Sequence, residues 1–272
     1  MTGCTGFANL PRDGAGWHAA CDRRGMDITS SVATSRLVAQ QRVMDVIADD
    51  IANANTSGFK AERVQFSDWL IRERGTDAPR GDHTIAYTQD RATWRDQGAG
   101  TLTHTGNPFD LGITSDGFFT VRTSNGPRLT RNGRFGLMPD GTIADSAGNA
   151  VLDSNGQAIV LSSTDTRVTI AGDGTVSSEN GQLGKIGVVR PTDPMRLTAE
   201  GSTLLRAGSP TAPVTSPGLV QGSMEDSNVQ PVLEMTRMID GERQFQFVSQ
   251  LIQAESDRQQ SAIDKLLPQQ QS

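Results

Sequence analysis

Apolar residues recur every three or four positions over residues 29–54. Leu37, Met44 and Ile51 fall seven apart, and Ala33, Ile47 and Ala54 complete a 3–4 alternation in which Gln40 is the polar exception. That is the period of a helix with one narrow apolar stripe. Asn53, Asn55, Thr56, Ser57 and Gly58 follow directly. Asn and Gly tolerate the left-handed backbone that terminates helices, so the helix is expected to stop there. A second helical pattern runs from Pro231 to about Leu266, with Ser227 or Asn228 as its expected cap. Val232, Thr236, Ile239 and Arg243 step by four, three and four. After Gly241 a shifted register takes over at Phe245, Val248, Ile252, Glu255, Gln259, Ala262 and Leu266. Such a phase slip unwinds a coiled-coil-like seam locally. Neither stripe can hold an isolated helix together, so each needs a partner.

Between the helices the pattern changes to short β-branched or aromatic runs. These runs, among them Phe118–Val121, Arg134–Leu137, Ala150–Leu152, Ile159–Leu161, Val168–Ile170 and Ile186–Val189, alternate with turn pairs. The pairs are Asn125-Gly126, Asn132-Gly133, Asp140-Gly141, Asn155-Gly156, Asp173-Gly174 and Asn180-Gly181. Such dipeptides supply the positive φ of tight hairpins, so the middle of the chain is expected to be an antiparallel all-β domain. The fold class is therefore α+β: long N- and C-terminal helices forming a coiled-coil-like axial domain, with a central β-domain. The expected boundaries are an unstructured extension over 1–25, the first helix over 26–58, a connector over 59–97, the β-domain over 98–200, a linker over 201–224 and the second helix over 225–267. Met26 opens the periodic segment and is expected to be the true start of the protein, since Cys4 and Cys21 and an aperiodic Gly/Ala/Arg-rich stretch precede it.

Composition changes this picture little and narrows the chemistry. The net charge of −6 argues against nucleic acid or an anionic membrane as partner. No run approaches the ~20 apolar residues of a membrane span. The start of the chain lacks a basic segment followed by an apolar one, so no cleaved Sec-type signal is expected. His18, His83 and His104 are far apart and have no Cys or carboxylate at ligand spacing, which speaks against a metal. Gly184-Lys185-Ile186 is no phosphate loop, and no nucleophile elbow or zinc-protease motif occurs. No cofactor, metal or catalytic residue is expected. The chain reads as a building block, not an enzyme.

Three stretches carry a family resemblance. Leu37–Ala48 followed by Asp49-Asp50-Ile51-Ala52-Asn53-Ala54-Asn55-Thr56-Ser57-Gly58-Phe59-Lys60 closely resembles the N-terminal signature of bacterial flagellar rod and hook proteins, which usually carry asparagines where this chain has Asp49 and Asp50. Thr105–Leu111, Asp116–Val121 and Leu129–Phe135 resemble the opening of that family's β-domain. Gln221–Ser223, Ser227–Val229 and Met238–Phe245 resemble its C-terminal signature. The chain is short for a hook protein, and Thr56–Arg63 with Arg243-Gln244-Phe245 look more like the proximal than the distal rod branch. The resemblance implies a structural rod subunit of the flagellar basal body. It would be exported by the flagellar type III apparatus and assemble in the periplasm with other rod proteins and copies of itself, without membrane insertion. The residues implied in assembly are Leu37, Met44, Ile47, Ile51, Asn53, Asn55, Thr56, Gly58 and Phe59 at one end. At the other they are Ser227, Asn228, Val229, Val232, Ile239, Arg243, Phe245, Val248 and Ile252. A distal rod protein, or a secreted non-flagellar filament subunit, is the alternative. The isolated chain is expected to be monomeric, with protease-sensitive ends and a resistant core near 98–200.

Overall fold

The computed structural model describes residues 16–73 and 83–266. In chain order its elements are helix α1 (Gly16–Ala52) and strands β1 (Glu62–Glu73), β2 (His83–Arg95), β3 (Leu102–His104), β4 (Leu111–Ile113), β5 (Phe118–Thr123) and β6 (Gly126–Thr130). Next come β7 (Phe135–Leu137), β8 (Ile143–Asp145), β9 (Ala150–Val151), β10 (Val168–Ile170), β11 (Thr175–Ser178) and β12 (Gly181–Lys185). Strands β13 (Val188–Pro191), β14 (Leu197–Ala199), β15 (Leu204–Ala207), β16 (Thr211–Pro213), β17 (Leu219–Gln221) and β18 (Ser223–Glu225) follow, and helix α2 (Pro231–Leu266) ends the series. Long helices at both ends and antiparallel strands between them make an α+β chain. It divides into two compact units. One holds Met44–Gln65 and Ala92–Ile239; the other is drawn from the two ends of the chain and Phe66–Arg91.

In the first unit β14-β15-β6-β5-β9-β8-β7 hydrogen-bond in that order, β13 pairs with β5 and β16, and β10-β11-β12 form a second sheet. Hairpin β5–β6 shows how the local pattern sets the register: Thr123 pairs with Gly126 across a two-residue turn, which places Phe119 opposite Thr130. Phe119, Val121, Phe135, Ile143, Val151, Val176 and Ile186 fill one continuous core drawn from both sheets. The rings of Phe119 and Phe135 meet edge to face at 5.1 Å, a favoured arrangement of aromatic quadrupoles.

Five of the six expected turn glycines have positive φ. Gly133 is the exception, and a different constraint selects it: a Cβ there would stand 1.7 Å from the Leu111 carbonyl oxygen. Asn132-Gly133 is a close backbone crossing, not a hairpin turn. Ile159–Leu161 forms no named strand, only a bridge between Val160 and Thr142.

Several boundaries differ from expectation: α1 stops at Ala52, short of residue 58, and α2 begins at Pro231, Glu225 being the last residue of β18. Residues 16–25, assigned to an unstructured extension, are the first turns of α1; Trp17 to Arg24 contains neither Gly nor Pro, so nothing there interrupts a helix. Residues 1–15 lie outside the described residues. The connector over 59–97 contains the long strands β1 and β2, which pair with each other. The linker over 201–224 belongs to the β-domain, because β15 pairs with β6, β16 with β13, β17 with β4 and β18 with β3. Its Pro213 and Pro217 suggest a solvated linker, yet Pro213 lies at the end of a fully exposed edge strand, where a missing N–H costs no ladder bond.

A junction built from the two signatures

Within the β-rich unit the two sequence signatures meet. Helix α1 ends in a cap: the Asn53 amide donates to the Asp49 carbonyl at 2.9 Å, and the Thr56 hydroxyl donates to Asn53 Oδ1 at 3.3 Å. The chain then turns at Gly58, whose φ is +70°. A Cβ there would lie 2.3 Å from the Asn132 nitrogen, so the residue is fixed both by conformation and by close approach. Its N–H donates to the Glu225 carbonyl at 2.7 Å, tying the turn to the end of β18. Phe59 follows, fully buried, against Ala61, Val229 and Ala54. The Arg95 guanidinium lies 5.2 Å from its ring centroid, in the range of a cation–π contact.

Asn228 reads this segment through its side-chain amide. Its Oδ1 accepts from the Ala61 N–H at 2.8 Å, and its Nδ2 donates to the carbonyls of Asp96 and Gly98 at 3.0 and 3.1 Å. It is therefore not the cap of α2. Ser227 accepts from the Val229 N–H at 3.2 Å. The first helical bond runs from Glu234 N–H to Gln230, with Pro231 at the position where proline starts a helix best.

Two ion clusters lie beneath. Glu225, 2% exposed, accepts from Lys60 Nζ at 2.5 Å, from Arg131 Nε at 2.5 Å and from the Gly100 N–H at 2.9 Å. Lys60 also donates to the Gly98 carbonyl at 2.7 Å, and Arg131 to the carbonyls of Gly117 and Ile113. Burial alone would raise the Glu225 carboxyl, but the Lys60 hydrogen bond and the Arg131 charge hold it below the ordinary glutamate value. Burial pulls Lys60 down, partly offset by Glu225. The second cluster centres on Arg63. It donates to Asp50 Oδ2 at 3.2 Å and to Glu234 Oε1 at 3.0 Å, and Arg237 also reaches Glu234, at 2.7 Å. Asp50 is fully buried and Glu234 1% exposed. Burial pushes the Asp50 carboxyl up to about 6, against the Glu62 N–H and Arg63, which lower it.

The structure thus brings Gly58, Phe59, Asn228 and Val229 together, with Asn53 and Thr56 capping α1 beside them, while Asn55 is exposed. On α1, Ile47 is buried and Leu37, Met44 and Ile51 are half-buried. On α2 the covered positions include Glu234, Met238, Gly241, Phe245, Val248, Ile252, Glu255 and Gln259, an unbroken 4-3-4-3-4-3-4 series, with Ser249 beside Val248 also half-buried. The expected phase slip is absent. Val232, Ile239 and Arg243 are exposed and lie off this stripe. Tertiary contact, with acidic Glu234 as an anchor and small Gly241 in the seam, selects a register that apolar counting misassigns. Lys60, Arg131, Glu225 and the Arg63 cluster were not expected as partners. The available signal was Lys60, one of only three lysines in the chain, placed directly after Gly58-Phe59 at the end of the signature.

Comparison with known proteins follows the same three stretches. Residues 31–60 match the flagella basal body rod protein family, 112–178 the D1 domain of flagellar hook protein FlgE/F/G, and 220–265 the C-terminal region of flagellar basal body rod FlgEFG proteins. The flagellar basal-body rod protein FlgF of Caulobacter vibrioides is 36% identical over 246 residues, covering 89% of this chain and 98% of the relative. That of Mesorhizobium japonicum is 34% identical over 86% and 96%, respectively. FlgG of Bacillus subtilis is 32% identical over 82% and 93%. Spanned nearly end to end by such relatives and matched at all three of its motif regions, the chain belongs to the family of flagellar basal-body rod proteins.

Proposed function

We propose that this chain, a structural subunit of the flagellar basal-body rod, takes the FlgF-type proximal place and polymerises through its terminal helices. One observation carries the assembly reading. Helix α2 has two apolar stripes. The first, through Phe245, Val248 and Ile252, is covered within the chain. The second, through Val232, Met235, Ile239, Phe247 and Leu251, is exposed and at 3.6 residues per turn lies on the opposite side of the helix. A helix with apolar residues on both sides is built for a partner on each. Inside the chain that partner is α1, a pairing supported by Gln40 donating to Gln244 at 3.3 Å and by Arg63 bridging Asp50 to Glu234. Outside it, the partners are copies of this chain and neighbouring rod proteins, packed against the exposed stripe in a coiled-coil-like axial layer.

The FlgF place rests on the identities of 36% and 34% to proteins of that name. Export by the flagellar type III apparatus without a cleaved Sec signal, and a periplasmic rod as destination, come from family membership. A structural, non-catalytic role fits the junction, whose ionic groups are paired to one another and to backbone. No described helix is long and apolar enough to cross a membrane. Deleting the gene is expected to give non-motile cells whose basal bodies lack a complete rod, restored by the full chain. Motile cells with normal basal bodies would overturn the proposal and favour the secreted-filament alternative.

A further inference from the structure

One buried oxygen in the junction has no hydrogen-bond partner. Glu234 Oε2 is enclosed and receives no hydrogen bond, while its Oε1 takes both Arg63 and Arg237. On the other nitrogen of the same Arg63 guanidinium lies Asp50, fully buried, its second oxygen held by the Glu62 N–H at 2.9 Å. Two buried carboxylates from different helices therefore face one guanidinium, whose own side chain is 29% exposed. A bare buried acceptor costs the full desolvation of that oxygen, and two neighbouring acids resist simultaneous ionisation.

We infer that buried Asp50 holds a proton beneath Arg63, on the guanidinium it shares with Glu234, and that this proton is a clasp joining the end of α1 to the start of α2. With the proton in place, one of the two buried negative charges facing Arg63 disappears. When it leaves, two buried carboxylates share one guanidinium and the joint weakens. The surrounding charges do not remove this effect. From β1, Glu62 faces Asp50 but is paired with Arg95 of β2 at 3.2 Å. From α2, Arg237 reaches Glu234 but is 44% exposed, so water screens it. Asp49, on α1 itself, is exposed and holds the Asn53 amide. The direction of the Asp50 titration agrees: burial, its largest cause, moves the group up to about 6.

The sign follows from proton linkage. The folded chain binds the Asp50 proton more tightly than the unfolded chain, so this contribution is present at low pH and is lost as pH rises from about 4 to about 6. Between pH 5 and pH 7 the unfolding equilibrium constant is expected to rise about tenfold through this group alone. Chemical denaturation of the full chain at these two pH values reads it. In Asp50→Asn, whose side chain is neutral throughout, the constant is expected to agree at the two pH values to within about twofold. An unchanged tenfold rise in that variant would overturn the clasp. Should Asp50→Asn fail to fold, hydrogen–deuterium exchange of the unmodified chain decides. After correction for intrinsic rate, opening of the segment around the Glu62 amide should be about tenfold more frequent at pH 7 than at pH 5, and equal opening would overturn the inference. The clasp goes beyond the rod assignment, and its failure would leave that assignment standing.

Discussion

Glu225 is the residue on which the junction turns. Its carboxylate is the shared acceptor for two buried cations from distant parts of the chain, Lys60 and Arg131. A buried ion triad adds little net stability over an apolar replacement, but removing its one anion strands two charges in a dry site. Glu225→Gln is therefore expected to lose about 3–5 kcal/mol at pH 7 by urea unfolding. Lys60→Met and Arg131→Met, each of which leaves a simple pair, should lose less. A loss below 1 kcal/mol for Glu225→Gln would show that water reaches the cluster. Motif reading found the neighbours of this glutamate, Gly58, Phe59, Asn228 and Val229, because helix terminators and signature asparagines carry local signals. It did not find the partners themselves. Lys60 and Glu225 lie 165 residues apart, and no periodicity links residues that meet only after folding.

At the scale of elements, α2 is the informative case. Its helical extent was legible in the sequence, since a run free of interior proline between Pro231 and Pro268 leaves little choice. Its buried face was not. Val232 and Ile239 are as apolar as Val248 and Ile252, and hydropathy alone cannot say which stripe meets its own chain and which is left exposed. The two faces should part company under mutation. Phe247→Glu, on the exposed stripe, is expected to change monomer stability by no more than about 0.5 kcal/mol and to abolish rod assembly and motility. Val248→Asp, which places a charge at a 7%-exposed position, should unfold the helix region of the monomer itself. Full motility of the Phe247→Glu strain would remove the exposed stripe as an assembly surface.

For the whole molecule the consequence is where the resistant domain ends. The strands that complete the β-rich unit come from beyond residue 200: β15 and β16 extend the large sheet, and β17 and β18 cover β4 and β3. Limited proteolysis is therefore expected to leave a fragment running past Glu225, not one ending near residue 200. Mass spectrometry of the fragment checks this. A stable product ending between 200 and 215 would mean that those pairings are dispensable.

The sequence by itself determined most of the local chemistry of this protein: where α1 stops, where α2 runs, five of its six glycine turns, and which family the motifs resemble. Those depend on neighbours within a few positions, where backbone sterics and side-chain period suffice. Only the tertiary structure decided which apolar stripe of α2 is covered, that the proline-bearing stretch over 201–224 is sheet, and that Lys60, Arg131 and Glu225 form one buried cluster. Each of these depends on partners remote in sequence, whose pairing and desolvation energies exist only once the chain has brought them together.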